Sequence, residues 1–241
     1  MKFSEPLIKA RLIKRYKRFL ADVELEDGQQ ITIHTANTGS MTGCAIPGST
    51  IWISNSHNPK RKYLYSWEVS TSENEYRIGI NTMLANKLVK EAIEKGDIIE
   101  LKDFINIETE VPYGLEKSRI DLLLTQKTGQ KCYIEVKNVT ASFEPAIAAF
   151  PDAVTARGSK HLRELEQMVQ QGNRAIILFC VQREDITAVR AAKEIDPLYA
   201  STLQQVVTSG VEVLAYGVSF SGADAPTGIS LNKKLDVIIT T

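Results

Sequence analysis

Two short stretches decide the fold of this chain: Ser118-Arg119-Ile120-Asp121-Leu122-Leu123-Leu124 and Lys131-Cys132-Tyr133-Ile134-Glu135-Val136-Lys137. Both are rich in Ile, Leu, Val and Tyr and predict strands, and the polar segment 126–130 between them, which contains a glycine, predicts a hairpin loop. Pairing that is symmetric about Thr128 places Asp121 opposite Glu135. Because opposite residues of an antiparallel pair share one side of the sheet, Asp121, Glu135 and Lys137 are expected to converge.

Charged side chains on such apolar strands require a chemical reason. Two facing carboxylates repel each other, and their burial is stable mainly when a cation lies between them. Oxygen ligands suit Mg²⁺ or Mn²⁺, and a neighbouring lysine can offset the charge of a phosphate. We therefore predict Asp121 and Glu135 as metal ligands, with Lys137 completing a catalytic site for phosphodiester cleavage. Two alternatives stay open: an ordinary ion pair on a solvated face, and a one-residue slip that turns Asp121 away.

Composition narrows the class of protein. The chain has 241 residues, and 29 Lys and Arg balance 29 Asp and Glu, which argues against a surface that coats nucleic acid indiscriminately. The three cysteines are far apart and lack metal-ligand spacing, and the start of the chain has no apolar signal-peptide core. No apolar run approaches the length of a membrane span. The predicted compartment is the cytoplasm, with no membrane role.

Basic residues crowd the first twenty positions. The candidates for nucleic-acid phosphate contacts there are Arg11, Lys14, Arg15, Lys17 and Arg18. Tyr16 and Phe19 lie within the same run and are candidates for stacking on nucleobases. The alternative is a solvated strand edge that lysines protect from aggregation.

The order of predicted elements indicates two domains. Residues 1–80 predict five strands with glycine-marked bends, which suit a small OB-like β-barrel. Residues 81–241 predict an α/β domain with a helix from Asn81 to Lys95, three strands, a helix, and further strand and helix segments. A loop at 221–228 is expected to lead into a short tail. The fold class is thus α/β in the second domain and α+β overall.

The predicted helix from Thr155 to Gln171 carries a cluster of basic side chains. Arg157, Lys160 and His161 lie at turn spacing beside its apolar stripe. If that face lies next to the acidic hairpin, these residues are candidate nucleic-acid contacts, with His161 a candidate proton donor. A purely structural histidine is the alternative.

Several segments together resemble the sugar fermentation stimulation protein A family. They are 15–23, Asn37-Thr38-Gly39-Ser40-Met41, 118–121, Tyr133-Ile134-Glu135-Val136-Lys137-Asn138-Val139-Thr140 and 150–162. The resemblance implies an N-terminal OB-fold domain, a C-terminal restriction-endonuclease-like domain with a central mixed sheet similar to PD-(D/E)xK nucleases, DNA binding, and a link to sugar metabolism genes.

The same resemblance implies site residues and shows one departure. Asp121 and Glu135 match the metal ligands and Lys137 the catalytic lysine. The residue before Asp121 is Ile120 where the motif has proline. For the acid expected on the first helix, Glu91 and Glu94 compete with the polar Asn86.

The first functional hypothesis is therefore a DNA-binding protein with a Mg²⁺- or Mn²⁺-dependent nuclease-like site. The alternatives are a catalytically silent DNA-binding regulator that uses the second domain as a scaffold, and a protein-interaction module. No helix-turn-helix pattern is present, so DNA recognition is expected to have weak sequence specificity. The sequence leaves the oligomeric state open.

Overall fold

A closed β-barrel forms the N-terminal part of the computed structural model, which describes residues 1–116 and 118–239. Its five strands are β1 (Ile8–Tyr16), β2 (Leu20–Leu25), β3 (Gln30–Thr35), β4 (Thr50–Asn55) and β5 (Tyr65–Thr71). They follow the order β3-β2-β1-β4-β5, and parallel pairing of His34 with Ser66 joins β3 to β5. Because this pairing joins the two edge strands, the predicted OB-like barrel is confirmed.

Alternation along the strands builds the barrel interior. Leu12, Val23, Ile33, Ile51 and Trp67 are each at most 1% exposed and pack together. Successive side chains of a strand point to opposite faces, so the intervening polar residues remain outside. A sixth strand, β6 (Arg77–Gly79), pairs with β5 and leads out of the barrel.

The rest of the described chain forms a sheet-and-helix domain. Its helices are α1 (Ala85–Lys95), α2 (Ala156–Gln170) and α3 (Pro197–Thr208). Its strands are β7 (Phe104–Tyr113), β8 (Ser118–Gln126), β9 (Lys131–Val139), β10 (Ser142–Glu144), β11 (Ile147–Phe150), β12 (Arg174–Val181), β13 (Ala188–Ala191), β14 (Glu212–Ser221), β15 (Gly228–Lys234) and β16 (Asp236–Ile238).

A mixed sheet of six strands is the centre of this domain, in the order β15-β14-β12-β9-β8-β7. Strand β12 runs parallel to β9 and β14, whereas β8 and β9 form an antiparallel hairpin. Helix α1 packs on one apolar face through Leu88, Ala92 and Ile93, and it ends at Gly96, whose φ of 77° suits a left-handed C-cap. Helices α2 and α3 cover the opposite face.

Two predictions for the C-terminal part were wrong. The expected tail after Gly228 is strand β15, which pairs with β14 and buries Ile229 and Leu231. A second, four-stranded sheet, β10-β11-β13-β16, was not predicted, because its strands of three or four residues are too short to show an alternating pattern.

Hydrogen bonds join the barrel to the second domain along β6 and along the segment that follows β3. The amide of Gly79 donates to the carbonyl of Gln182 at 2.7 Å. The side-chain amide of Asn37 donates to Thr140 Oγ1 at 3.3 Å, and the Ser40 amide donates to Asp152 Oδ2 at 2.9 Å. The segment after β3 is therefore held against the end of β9.

Candidate active site

The predicted register of the β8–β9 hairpin is the observed one. Leu122 pairs with Ile134, and the symmetric pairing continues to Thr125 and Lys131. Asp121 is the residue directly before the first of these pairs. Its Oδ2 accepts a hydrogen bond from the Val136 amide at 2.8 Å. The carboxylate thus takes the place of a backbone partner where the two strands separate.

Helix α1 supplies the second contact of this carboxylate. The side-chain amide of Asn86 donates to Asp121 Oδ1 at 2.8 Å. The competing acids of the helix are engaged elsewhere, Glu91 with Lys95 and the chain's amino group and Glu94 with Lys90. Asn86 is therefore the residue of α1 at the site. Burial, and then the charge of Glu135, raise the pKa of Asp121.

Glu135 is the centre of a buried network. It is 3% exposed, and Lys137, at 9%, donates from Nζ to Glu135 Oε1 at 2.8 Å. His161 on α2 contacts the same oxygen through Nδ1. Burial alone would raise the pKa of Glu135, but the His161 hydrogen bond and the Lys137 charge hold that pKa below its usual range.

The hydrogen bonds assign the tautomer of His161. Arg157 Nε lies 3.3 Å from His161 Nε2. A guanidinium can only donate, so Nε2 accepts and the ring proton is on Nδ1, where it is donated to Glu135. A neutral imidazole therefore links Arg157 to Glu135. Of the three predicted cations of α2, Arg157 and His161 reach the acidic hairpin, whereas Lys160 donates to the carbonyl of Glu116 at 2.6 Å.

The other oxygen of Glu135 gives the test of whether a divalent cation fits this site. Glu135 Oε2 is buried and has no hydrogen-bond partner in the described part of the chain. An unpaired buried carboxylate oxygen is costly, and its position beside Asp121 suits oxygen coordination. Across residues 1–116 and 118–239, no group of three or more His, Cys, Asp and Glu side chains is arranged to hold a metal ion. The residues therefore fit a cation that takes few protein ligands and completes its shell with water and phosphate.

A cleft of about 430 Å³ opens beside this network, between the two domains. Arg18 and the segment from Asn37 to Gly39 form its barrel side, while Lys137 and Asp152 lie on the other side. Lys137 thus links the buried carboxylates to a space that is open to solvent.

The basic residues of β1 have distinct surroundings. Arg11 pairs with Glu24 at 2.7 Å and Lys14 with Asp22 at 3.6 Å. Arg15 donates to the carbonyls of Arg18, Asn37 and Gly39 at 2.5, 3.1 and 2.8 Å. Its guanidinium therefore holds the cleft wall together.

The two basic residues after β1 differ from these three. Lys17 and Arg18 form the exposed turn between β1 and β2. Arg18 is the predicted phosphate contact from this run that lines the cleft. Contact of any of the five with nucleic acid stays a prediction.

The barrel, the mixed sheet and the Glu-x-Lys strand define a class of protein that joins an OB-fold barrel to a sheet-and-helix domain of the restriction-endonuclease type. The family description "SfsA N-terminal OB domain" matches residues 13–80, and "Sugar fermentation stimulation protein RE domain" matches residues 83–224. The chain belongs to the sugar fermentation stimulation protein family, as its sequence resemblance predicted.

Relatives support this assignment along nearly the whole chain. A sugar fermentation stimulation protein homolog of Shewanella frigidimarina is 53% identical over 92% of this chain and 94% of its own. A homolog of Thioalkalivibrio sulfidiphilus is 50% identical over 98% of each chain. The structure of Pyrococcus furiosus SfsA in complex with Ca²⁺ matches with a TM-score of 0.84 and 26% identity, over 99% of this chain and 98% of that one. Among the residues described here, no helix is both long and apolar enough to cross a membrane.

Proposed function

We propose that this protein binds DNA and cleaves phosphodiester bonds with a divalent cation held by Asp121 and Glu135. The observation that carries the proposal is the buried Oε2 of Glu135, which lacks a hydrogen-bond partner beside a second carboxylate and a lysine. The Pyrococcus furiosus relative was solved with Ca²⁺, which supports a divalent-cation site in this family. Mg²⁺ and Mn²⁺ are the proposed catalytic ions, because their oxygen-rich shells suit two carboxylates, water and phosphate.

The residues of the site have separate tasks in this mechanism. Asp121 and Glu135 would hold Mg²⁺ or Mn²⁺, which supplies Lewis acidity toward the phosphodiester and lowers the pKa of water. Asn86 and the Val136 amide fix the Asp121 carboxylate. His161 occupies Oε1 of Glu135 and leaves Oε2 for the cation.

Lys137 is the residue that faces the substrate in this proposal. Its ammonium lines the cleft and can donate to a phosphate oxygen, which offsets negative charge as the P–O bond breaks. Its low exposure strengthens this interaction, because little water screens the charge.

Magnesium-dependent nicking of supercoiled plasmid tests the proposal. Asp121→Asn and Glu135→Gln should each abolish nicking, whereas Glu94→Gln, an exposed acid on α1, should leave it unchanged. Calorimetric titration with Mn²⁺ gives a second readout, and the binding heat should disappear in Glu135→Gln. Nicking that persists in Asp121→Asn would show a contaminating nuclease and contradict the assignment.

A catalytically silent DNA-binding regulator is the second candidate function. It is favoured by Asn86, which places an amide beside Asp121 where the nuclease motif suggested a third acid. The names of the relatives, which refer to sugar fermentation, are consistent with regulation. Steeply salt-dependent DNA binding with no nicking in Mg²⁺ or Mn²⁺ would favour this candidate over the first.

A further inference from the structure

An exposed aromatic and basic patch lies directly beside the cleft. Phe19 is 44% exposed, and its ring centroid lies 6.4 Å from that of His34 on β3. Arg61 donates to Ser66, the strand partner of His34, and Arg18 precedes Phe19 in the chain and lines the cleft. We call Arg18, Phe19, His34 and Arg61 the stacking patch.

The rings of the stacking patch are suited to a nucleobase. Burial, and then the charge of Arg61, lower the pKa of His34 below its usual value, so its imidazole is neutral near physiological pH. A neutral ring beside an exposed phenyl group offers a flat apolar surface, and the two guanidinium groups that flank it suit phosphates. Bases of every kind can stack on such a surface, because each has a π-face.

The turn that presents Phe19 is strained and firmly held. Lys17 and Arg18 adopt φ angles of 49° and 63°, a left-handed conformation that glycine or asparagine adopts far more readily. The Arg18 carbonyl accepts from Arg15 at 2.5 Å, and the Phe19 carbonyl accepts from the Thr35 amide at 2.9 Å. Strain of this kind is typical of binding sites, where it fixes a side chain in position before the ligand arrives.

The size of the cleft limits what can reach Lys137. Its volume of about 430 Å³ is that of a pocket for one small ligand, for which the usual range is about 300–1,000 Å³. A double helix is far too thick for such a space, and Lys137 is only 9% exposed. A phosphodiester therefore reaches this lysine on a strand that has separated from its complement.

We propose that this protein recognises nucleic acid through an unpaired nucleotide, whose base stacks on Phe19 and His34 while Arg18 and Arg61 contact the adjacent phosphates. This inference rests on the proposed function, because it names the substrate class of the same cleft. It separates single-stranded or frayed DNA from an intact duplex, in which the base faces are covered by their neighbours.

Fluorescence anisotropy with a labelled 12-nucleotide single strand and the blunt duplex of the same sequence tests this inference. The titrations are made in EDTA, so that binding is measured without cleavage. The wild-type protein should bind the single strand more tightly than the duplex. Phe19→Ala should weaken single-strand binding by about 5- to 150-fold, the usual effect of losing one stacked base. Phe19→Trp should retain it, because the indole also stacks.

Tyr76→Ala provides the matched control. Tyr76 is an aromatic residue of the barrel domain, 48% exposed and outside the cleft lining, so its loss should not change the affinity. Equal wild-type affinity for the two DNA forms, or an unchanged affinity in Phe19→Ala, would overturn the inference while leaving DNA binding intact. No binding to either form would overturn both the inference and the proposed function. A preference for single strands that depends on Phe19 supports the inference even if no nicking occurs.

Discussion

The buried pair of Glu135 and Lys137 gives the sharpest prediction, a double-mutant cycle on protein stability. Removing one partner of a buried ion pair costs about 3–5 kcal/mol, because the other charge remains unpaired. Both side chains are at most 9% exposed, so solvent screening does not reduce this figure much. In Glu135→Gln the charge of Asp121 still offsets that of Lys137, which lowers the expected cost to about 2–4 kcal/mol.

Removing both charges should restore much of the loss. The double variant Glu135→Gln/Lys137→Met leaves neither charge of the pair uncompensated, so its cost should fall short of the sum of the single variants by about 2 kcal/mol. The exposed pair Lys90 and Glu94 on α1 is the matched control, and its coupling should be about 0.3–0.5 kcal/mol.

Urea denaturation with two optical signals provides the assay. Both tryptophans of the chain, Trp52 and Trp67, lie in barrel strands, so their fluorescence reports the barrel. The α-helices of the described chain all lie in the second domain, so helical circular dichroism reports that domain. The coupling should be measured by the helical signal. Costs of the two single variants that simply add would refute the interaction.

Three further predictions concern the rest of the molecule. Burial raises the pKa of Glu68 above 4.5, so its stabilising contribution is present below that pH and lost as pH rises through the folded-state pKa; Glu68→Gln should therefore raise the free energy of unfolding at about pH 8 and change it little at about pH 4, and a less stable variant at the higher pH contradicts this. Arg15→Ala should cost about 2 kcal/mol in urea denaturation through its carbonyl contacts, whereas exposed Lys17→Ala should cost less than about 0.5 kcal/mol; equal costs would argue against a structural role for Arg15. In Gly39→Ala the new Cβ would lie 2.0 Å from Asp152 Oδ2, so the variant should lose about 1 kcal/mol with the Ser40 hydrogen bond, and adding this change to Asp152→Ala should cost little more in the same measurement.

The acidic hairpin was predictable because its pattern is local. Strong alternation and a glycine in the five-residue loop fix the register, and Leu122 indeed pairs with Ile134. The bond from the Val136 amide to Asp121 could not be predicted, since it depends on where the strands separate.

The role of Asn86 and the burial of His161 depend on packing that the sequence does not encode locally. The helical pattern of α1 is compatible with Glu91, Glu94 or Asn86 at the site, and only the angle of the helix against the sheet selects Asn86. His161 was expected on a basic face, but it turns inward because Glu135 accepts its proton. For β15, by contrast, the alternation of Ile229 and Leu231 was a usable signal.

The cleft takes one wall from each domain, which affects how the protein can be dissected. If residues 1–80 were deleted, Lys137 would lose the opposing segment from Asn37 to Gly39, and the narrow slot would become a one-sided trough. A truncated second domain could then accept substrates that the intact chain excludes. Point variants in the full-length chain are consequently the cleaner way to assign tasks to each half.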